Sequence, residues 1–357
     1  MRVLYFGTYE RDYPRNAQVI SSLRGAGVEV IERHVGVWEG RRQKWSSGSA
    51  AGLRLAQAQV RLLARPRHPF DALLVGYPGH LDLPAAKWVA RGRPVLFNPL
   101  VSLTETLVED RGRFASGSAG ARLLGRIDRS PLRRADLVVA DTAASARALT
   151  ELAGLAPERV TVCLVGAEER LFRPGWAQPA RFGALFVGKL IPLHGLETIL
   201  AAARLAPELR FTIVGRGQLD ALVASPPPNV ERIDWVDYEQ LPDRLRAAGC
   251  ALGIFGTSAK AQRVIPNKVF QALACGTPVV TADTPGAREL LRDGESALLV
   301  PPGDPAALAD ALRRLAGDAE LAQRIGAGGH TAYLEHASEA VLGRRWRGLV
   351  EGLLAGR

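Results

Sequence analysis

Short apolar runs that end in glycine-containing or polar loops recur along this chain. They lie at residues 2–6, 28–31, 72–75, 94–97, 136–140, 185–187, 211–214 and 278–281. Stretches with helical spacing of apolar residues separate many of them, and this alternation predicts a doubly wound α/β protein. Because ligands of such domains lie outside the carboxyl ends of the strands, the loops that follow the runs are the first places to look for chemistry.

The last third of the chain combines helix and loop signals in one segment. Asn267 is predicted to cap a helix that ends at Gly276, and Lys268 falls in its first turn. A strand at 278–281 follows, and a second helix is expected to open near 287–289. Since a helix N-terminus carries free N–H groups and partial positive charge, this segment suits an anion.

Lysine is rare, with five lysines among 46 basic residues. Three of the five, Lys189, Lys260 and Lys268, fall in two loops that the fold is expected to bring together. Lysine is a compact point charge that fits a phosphate oxygen in a narrow pocket, so this concentration favours a phosphate site over a solvated face. Gly215 and Gly217 lack the third glycine of a dinucleotide fingerprint, which argues against a nicotinamide enzyme.

One segment resembles the donor-site signature of the family 4 glycosyltransferases. It runs from Gln271 through Cys275-Gly276-Thr277-Pro278 to Pro301-Pro302-Gly303-Asp304. The resemblance implies the α/β GT-B fold, with two Rossmann-like doubly wound domains facing across a cleft. Residues 1–171 would bind the acceptor, 182–335 the nucleotide sugar, and 336–357 would form a helix packing back across both. It also implies a retaining hexosyltransferase that uses a UDP- or GDP-type sugar, with no cofactor and no metal.

Two positions depart from the family pattern. The family carries two glutamates eight positions apart, and the aligned residues here are Arg263 and Gln271. Part of the family has a Pro-x-Lys element before the helix, which Pro266-Asn267-Lys268 resembles. The departure leaves open an alternative, a non-catalytic GT-B protein that binds a sugar nucleotide or an anionic polymer.

The resemblance implies roles for individual residues. The candidate catalytic residues are Lys189 and Lys268, which would stabilise the leaving diphosphate, and Glu289, which would hold donor hydroxyls. The candidate donor-binding residues are Gly188, His194, Trp235, Arg263, Asn267, Gln271 and Thr284. The candidate acceptor-binding residues are Tyr9, Arg11, Arg15, His80 and Asn98. The alternatives are a solvated polar loop for residues 9–15, a structural role for His80 and a core position for Trp235.

The net charge of +10 over 357 residues suggests an acidic surface as an additional partner, either anionic lipid or nucleic acid. Between residues 33 and 67, arginines are interleaved with leucines, Trp38 and Trp45, and this mixture suits a membrane surface. The alternative is a surface helix whose leucines pack inward. We favour an anionic membrane and a glycan or lipid-linked acceptor, and expect no specific nucleic-acid partner.

Nothing in the sequence indicates export or a membrane span, because no run approaches ~18–20 apolar residues and no signal peptide is recognisable. We therefore expect a cytoplasmic protein, with peripheral attachment to the inner face of the membrane as an option. Cys163, Cys250 and Cys275 are widely spaced in apolar surroundings, which predicts buried packing residues and neither disulfides nor a Cys-x-x-Cys metal site.

Overall fold

The structure is a computed structural model that describes residues 1–11, 13–37, 49–64, 66, 68–100, 102–110, 114–115 and 117–356. The chain divides into two compact units. The first contains Met1–Val108, Phe114–Leu164 and Glu339–Arg357, and the second contains Glu109–Arg113 and Val165–Ser338. Among the helices of the described residues, none is long and apolar enough to cross a membrane.

The first unit is a parallel sheet with helices on both faces. Its strands are β1 (Arg2–Gly7), β2 (Glu29–His34), β3 (Ala72–Val75), β4 (Val95–Phe97), β5 (Leu137–Ala140) and β6 (Val160–Val162), and its helices include α1 (Pro14–Gly25), α2 (Ser49–Leu62), α3 (Leu83–Ala90), α4 (Ala119–Arg134) and α5 (Ala143–Ala153). The strand order is β2-β1-β3-β4-β5-β6. Alternate residues of β1 enter two different cores: Leu4 and Phe6 on one face, Val3 and Tyr5 on the other.

The second unit repeats this architecture. Its strands are β7 (Gly183–Val187), β8 (Arg210–Val214), β9 (Val230–Ile233), β10 (Cys250–Leu252), β11 (Val279–Ala282) and β12 (Leu298–Val300), and its helices include α6 (Leu196–Leu205), α7 (Leu241–Ala247), α8 (Asn267–Cys275), α9 (Pro305–Gly317) and α10 (Ala319–His336). The parallel order is β12-β11-β10-β7-β8-β9. Asp304 and Asp318 cap α9 and α10 by accepting backbone N–H groups of Ala307 and Leu321.

The last helix, α11 (Glu339–Ala355), belongs to the first unit. It packs on α1, where Trp346 and Val350 are fully buried with Val19 and Leu23. A Cβ atom on Gly343 would lie 2.3 Å from the carbonyl oxygen of Ser22, so this glycine permits close contact of the two helices. Helix α11 therefore shares one hydrophobic core with β1 and α1.

Candidate functional site

Two glycine loops of the second unit pack backbone against backbone, at the carboxyl ends of β7 and β8. A Cβ atom on Gly215 would lie 1.9 Å from the carbonyl oxygen of Gly188, and one on Gly217 would lie 2.4 Å from that of Leu190. Leu190 N–H donates to the carbonyl of Arg216 at 3.1 Å. Gly215 and Gly217 therefore allow the two loops to pack closely, and this packing explains the Gly-x-Gly spacing without a bound dinucleotide.

Lys268, in the first turn of α8, places its ammonium group beside the Gly188 loop. Nζ lies 3.7 Å from the centroid of the Phe186 ring, and a Cβ atom on Gly188 would lie 2.9 Å from Nζ. Although the side chain as a whole is only partly buried, Nζ is sealed from solvent and has no hydrogen-bond partner among the described residues. Burial lowers the pKa of Lys268 well below the ordinary lysine value. A cation held over a ring face, with no counter-charge among the described residues, is suited to bind an anion.

His194 contacts the same glycine from another direction. Its Cε1 would lie 3.3 Å from a Cβ atom on Gly188, and its Nδ1 lies 2.5 Å from the carbonyl oxygen of Lys189. That contact assigns the proton of the neutral ring to Nδ1, which donates to the carbonyl. Burial, together with the nearby charge of Lys268, lowers the pKa of His194 well below the ordinary histidine value. His194 with this lowered pKa contributes a dipole, and a bound anion would favour its charged form.

Gln271 is buried in α8, and its amide is oriented by Tyr238. Nε2 donates to the Tyr238 hydroxyl at 3.2 Å, and that hydroxyl also hydrogen-bonds to the buried carboxylate of Glu168. Burial raises the pKa of Tyr238, so the hydroxyl keeps its proton and donates it to Glu168. Gln271 Oε1 has no protein partner within the described ranges. The chain of hydrogen bonds thus presents an acceptor oxygen, as a glutamate at this position would.

The loop after β11 differs from the sequence prediction. The second helix expected near 287–289 is a single 3₁₀ turn, Ala287–Glu289, and Thr284, three residues before it, accepts the N–H of Ala287 at 3.0 Å. A Cβ atom on Gly286 would lie 2.4 Å from the carbonyl oxygen of Arg263, so the fold brings this loop against the segment before α8. Thr284 is buried and Glu289 is exposed. Their roles with a donor stay predictions.

The structure corrects one further expectation for the second unit and excludes one alternative. Pro266, with ψ at 151°, occupies the N-cap position of α8, and Asn267 is already helical, so the predicted Asn267 cap is wrong. The boundary shifted because the extended backbone ends at the proline. Trp235 is 77% exposed, which excludes the alternative of a core residue, and its indole N–H donates to Asp237 at 3.4 Å.

Two family models match the chain: "Glycosyl transferase 4-like domain" over residues 2–166 and "Glycosyl transferases group 1" over residues 181–318. A D-inositol 3-phosphate glycosyltransferase of Thermomonospora curvata is 32% identical over 361 residues, covering 89% of this chain and 78% of that protein. The chain belongs to the family 4 glycosyltransferases. Its match to an enzyme of the same description from Acidothermus cellulolyticus is 33% identical and spans 61% of this chain but only 54% of the relative.

Solved structures agree on the fold of this family 4 glycosyltransferase. Sucrose-phosphate synthase from Thermosynechococcus elongatus has a TM-score of 0.77 at 17% identity, covering 100% of this chain and 99% of that one. HepE from Anabaena, solved in complex with UDP-glucose, has a TM-score of 0.69 at 17% identity, covering 100% of both chains. Identities this low show the fold alone. The predicted family and the GT-B fold, with two Rossmann-like units, are confirmed.

In the first unit of the glycosyltransferase, Arg15 and Asn98 form a buried pair. Arg15 donates from Nε and Nη2 to Asn98 Oδ1 at 3.3 and 3.2 Å, and also to the carbonyls of Leu164 and Cys163 at 2.6 and 2.9 Å. Its guanidinium lies 5.6 Å from the ring centroid of Trp346. Arg15 thus holds the chain after β6 and α11 in place, and these contacts favour a structural role over the predicted acceptor role.

Tyr9 and Arg11 are both tied to Glu32. Tyr9 is fully buried, and its hydroxyl donates to the Glu32 carboxylate at 2.9 Å. Arg11 is exposed, with Nε 3.5 Å from the same carboxylate. The solvated-loop alternative therefore describes Arg11, whereas Tyr9 is a core residue whose predicted acceptor contact would require it to leave its present partners.

His80 is buried after β3, where its ring edge meets Phe97 at 5.3 Å between ring centroids. Its Nε2 lies 3.6 Å from Asp128, a carboxylate that also accepts the N–H groups of Leu103 and Thr104 at 2.8 Å. These contacts favour the structural alternative for His80.

Asp141 is a candidate that the sequence analysis missed. It follows β5, is buried, and its Oδ1 has no hydrogen-bond partner in the described part of the chain; the same is true of Asn98 Nδ2, which follows β4. Burial raises the pKa of Asp141 to about 6. The available signal is an acidic residue placed directly after the apolar run at 136–140.

The described residues contain neither a metal-binding cluster nor a reactive cysteine. Within the described ranges, no group of three or more His, Cys, Asp or Glu side chains is arranged to hold a metal ion. Cys163, Cys250 and Cys275 are free and buried, which confirms their prediction as packing residues. Burial raises the pKa of each thiol, so none is a reactive thiolate.

Proposed function

We propose that this family 4 glycosyltransferase transfers a hexose, with retention of configuration, from a UDP- or GDP-type nucleoside diphosphate sugar. The observation that carries the proposal is the sealed Nζ of Lys268, which has a lowered pKa and no partner among the described residues. Burying a cation without a counter-charge costs free energy, and a diphosphate would supply that counter-charge. The UDP-glucose named for HepE supports a donor of this class.

The diphosphate would lie between the Gly188 loop and the start of α8. Lys189 and Lys268 would provide full charges, and the first-turn N–H groups of α8, where no side chain caps the helix, would add hydrogen bonds. As the bond from the anomeric carbon to the diphosphate oxygen breaks, negative charge grows on that oxygen, and the preset cations stabilise it. The acceptor oxygen attacks from the same face, and its proton passes to the departing phosphate.

The remaining donor contacts follow from the same placement. Gln271 Oε1 would accept a ribose hydroxyl, and Glu289 would hold hydroxyls of the sugar. Arg263 stands at the position of a family glutamate, which motivates the alternative of a non-catalytic protein that binds a sugar nucleotide or an anionic polymer. For the acceptor we propose a glycan or a lipid-linked sugar bound by the first unit.

We also propose that the first unit attaches to anionic membranes at the inner face, through the basic stretch predicted at residues 33–67. On α2, Leu53 and Val60 are 64% and 70% exposed beside the exposed Arg54 and Arg61, whereas Leu62 is fully buried. The inward-packing alternative thus accounts for only part of the helix. Several members of the stretch lie outside the described residues: Trp38, Glu39, Arg41, Arg42, Lys44, Trp45, Arg65 and Arg67.

A thermal-shift screen of UDP, GDP and ADP sugars in EDTA tests the donor class, with the bare nucleosides as controls. We expect one nucleotide sugar to raise the melting temperature of the parent protein and not that of Lys268→Met. Slow hydrolysis of the stabilising donor, measured without acceptor, separates the enzyme from the non-catalytic alternative. Stabilisation by none of the sugars would contradict the donor proposal.

A further inference from the structure

A cavity in the first unit is lined by none of the residues to which the transfer proposal assigns a role. It has a volume of ≈ 200 Å³ and forms where the end of α2 meets the end of α3. We call it the Trp88 cavity, after its most exposed aromatic residue. Its lining includes the buried side chains of Phe70 and Val89 and the exposed side chains of Leu63, Trp88, Arg91 and Arg93.

The lining of the Trp88 cavity is basic. Arg91 ends α3 with φ at 49°, and Arg93 follows two residues later with its guanidinium 4.9 Å from the ring centroid of Phe70. His68 also contributes to the lining, and none of the described lining residues is acidic. Two arginines at a cavity whose described lining contains no acidic residue fit a phosphate group, which planar guanidinium groups bind with paired hydrogen bonds.

Apolar side chains that face solvent continue from the cavity along α2. Leu53, Val60 and Leu63 are 64%, 70% and 42% exposed. At about 100° per residue, Leu53 and Val60 lie about 20° apart on α2, and Leu63 directly follows the last residue of the helix. We call these three residues the α2 stripe. Trp88 is 68% exposed. It lies at the end of this stripe, since Leu63 and Trp88 line the same cavity.

We propose that the Trp88 cavity binds the phosphate headgroup of an anionic membrane lipid, while Trp88 and the α2 stripe enter the boundary between headgroups and acyl chains. The inference rests on the membrane attachment proposed above and adds residues outside the 33–67 stretch. A soluble phosphate would use Arg91 and Arg93 but would leave the neighbouring apolar surface in water, whereas a bilayer satisfies both. Tryptophan favours this interface because its ring has an apolar body and a polar N–H group.

Vesicle flotation with matched arginine variants tests the site. The parent should float with vesicles of phosphatidylglycerol and phosphatidylcholine, and not with phosphatidylcholine alone. Arg91→Gln combined with Arg93→Gln should weaken binding about 30-fold, since each basic residue near an anionic surface contributes ~1 kcal/mol. The control, Arg314→Gln combined with Arg324→Gln, removes two exposed charges from the second unit and should bind as the parent does. Thermal melting confirms that each variant folds.

Fluorescence quenching by brominated acyl chains provides a second readout. Trp88→Phe should lose a large part of the quenching seen in the parent, whereas Trp235→Phe, which removes a similarly exposed ring from the second unit, should lose none. Unchanged quenching in Trp88→Phe would overturn the placement of this ring at the bilayer.

Four further outcomes would overturn the headgroup site. They are equal flotation of the two double variants, equal binding to neutral and anionic vesicles, full competition by millimolar inorganic phosphate, and burial of this face in a dimer detected by light scattering without vesicles. If the parent binds no vesicles, the membrane proposal fails as well. The nucleotide-sugar thermal shift, measured on the same preparations, shows separately whether the donor proposal stands.

Discussion

Replacing Lys268 with methionine should stabilise the empty protein and abolish its preference for diphosphates. The change removes the ammonium group of Lys268. Its Nζ is buried 3.7 Å from the centroid of the Phe186 ring and has no hydrogen-bond partner among the described residues. Burying an unpaired ion costs several kcal/mol, of which a desolvated cation–π contact recovers about 2 kcal/mol. Methionine has a similar length and makes favourable sulfur–aromatic contacts of ~0.3–1.5 kcal/mol.

The net gain in the free energy of unfolding should be about 1–2 kcal/mol near pH 7. At ~2–4 °C per kcal/mol for a domain of 150–250 residues, the melting temperature of the empty variant should rise by roughly 2–8 °C. The gain should depend on pH. The fold lowers the pKa of Lys268 below the ordinary value near 10.4. Between these two pKa values the unfolded chain binds more protons than the folded protein does. The parent therefore becomes more stable as pH rises through this window. The advantage of Lys268→Met should therefore shrink at alkaline pH.

The same variant should lose ~2–4 kcal/mol of affinity for the nucleoside diphosphate, as expected for removing one partner of a buried charge pair. Its affinity for the bare nucleoside should be unchanged. Isothermal titration in buffers of different ionisation enthalpy should show proton uptake by the parent on diphosphate binding, at pH values above the lowered pKa. An empty variant that melts below the parent at pH 7, or one that binds the diphosphate as tightly, would refute the reasoning.

Three other predictions concern the same unit. Gln271→Ala should weaken donor binding by ~1–3 kcal/mol and Gln271→Glu should tighten it, because a charged acceptor makes stronger hydrogen bonds to ribose hydroxyls; parent-like titration of the alanine variant would show that this helix does not face the donor. Gly215→Ala should distort the Gly188 loop, since its Cβ would lie 1.9 Å from the Gly188 carbonyl oxygen, and should lower both the melting temperature and donor affinity; unchanged values would contradict that contact. Transferase activity should persist in EDTA, and a loss restored by Mn²⁺ or Mg²⁺ would argue for a metal.

Local sequence patterns were sufficient for the fold and for the position of the donor loops. Alternation of apolar runs and glycine-containing loops reflects the side-chain environment of each strand separately, so it predicts β1, β3 and β7 without knowledge of their neighbours. The motif Cys275-Gly276-Thr277-Pro278 likewise predicts a helix end from local backbone preferences alone. Gly276 does end α8, with φ at 74°. The scarcity of lysine singles out Lys189 and Lys268 from the sequence alone.

The states of the individual side chains depend on contacts between residues far apart in the chain. Arg15 looked like a loop cation, yet it is buried against carbonyls of Cys163 and Leu164, about 150 positions away. The sequence shows only that Gln271 aligns with a family glutamate, whereas the fold places Tyr238 beside it to orient its amide. Periodicity encodes which residues leave water, whereas the partner, the charge state and the amide orientation of a buried polar group are determined by the elements that the tertiary fold packs around it.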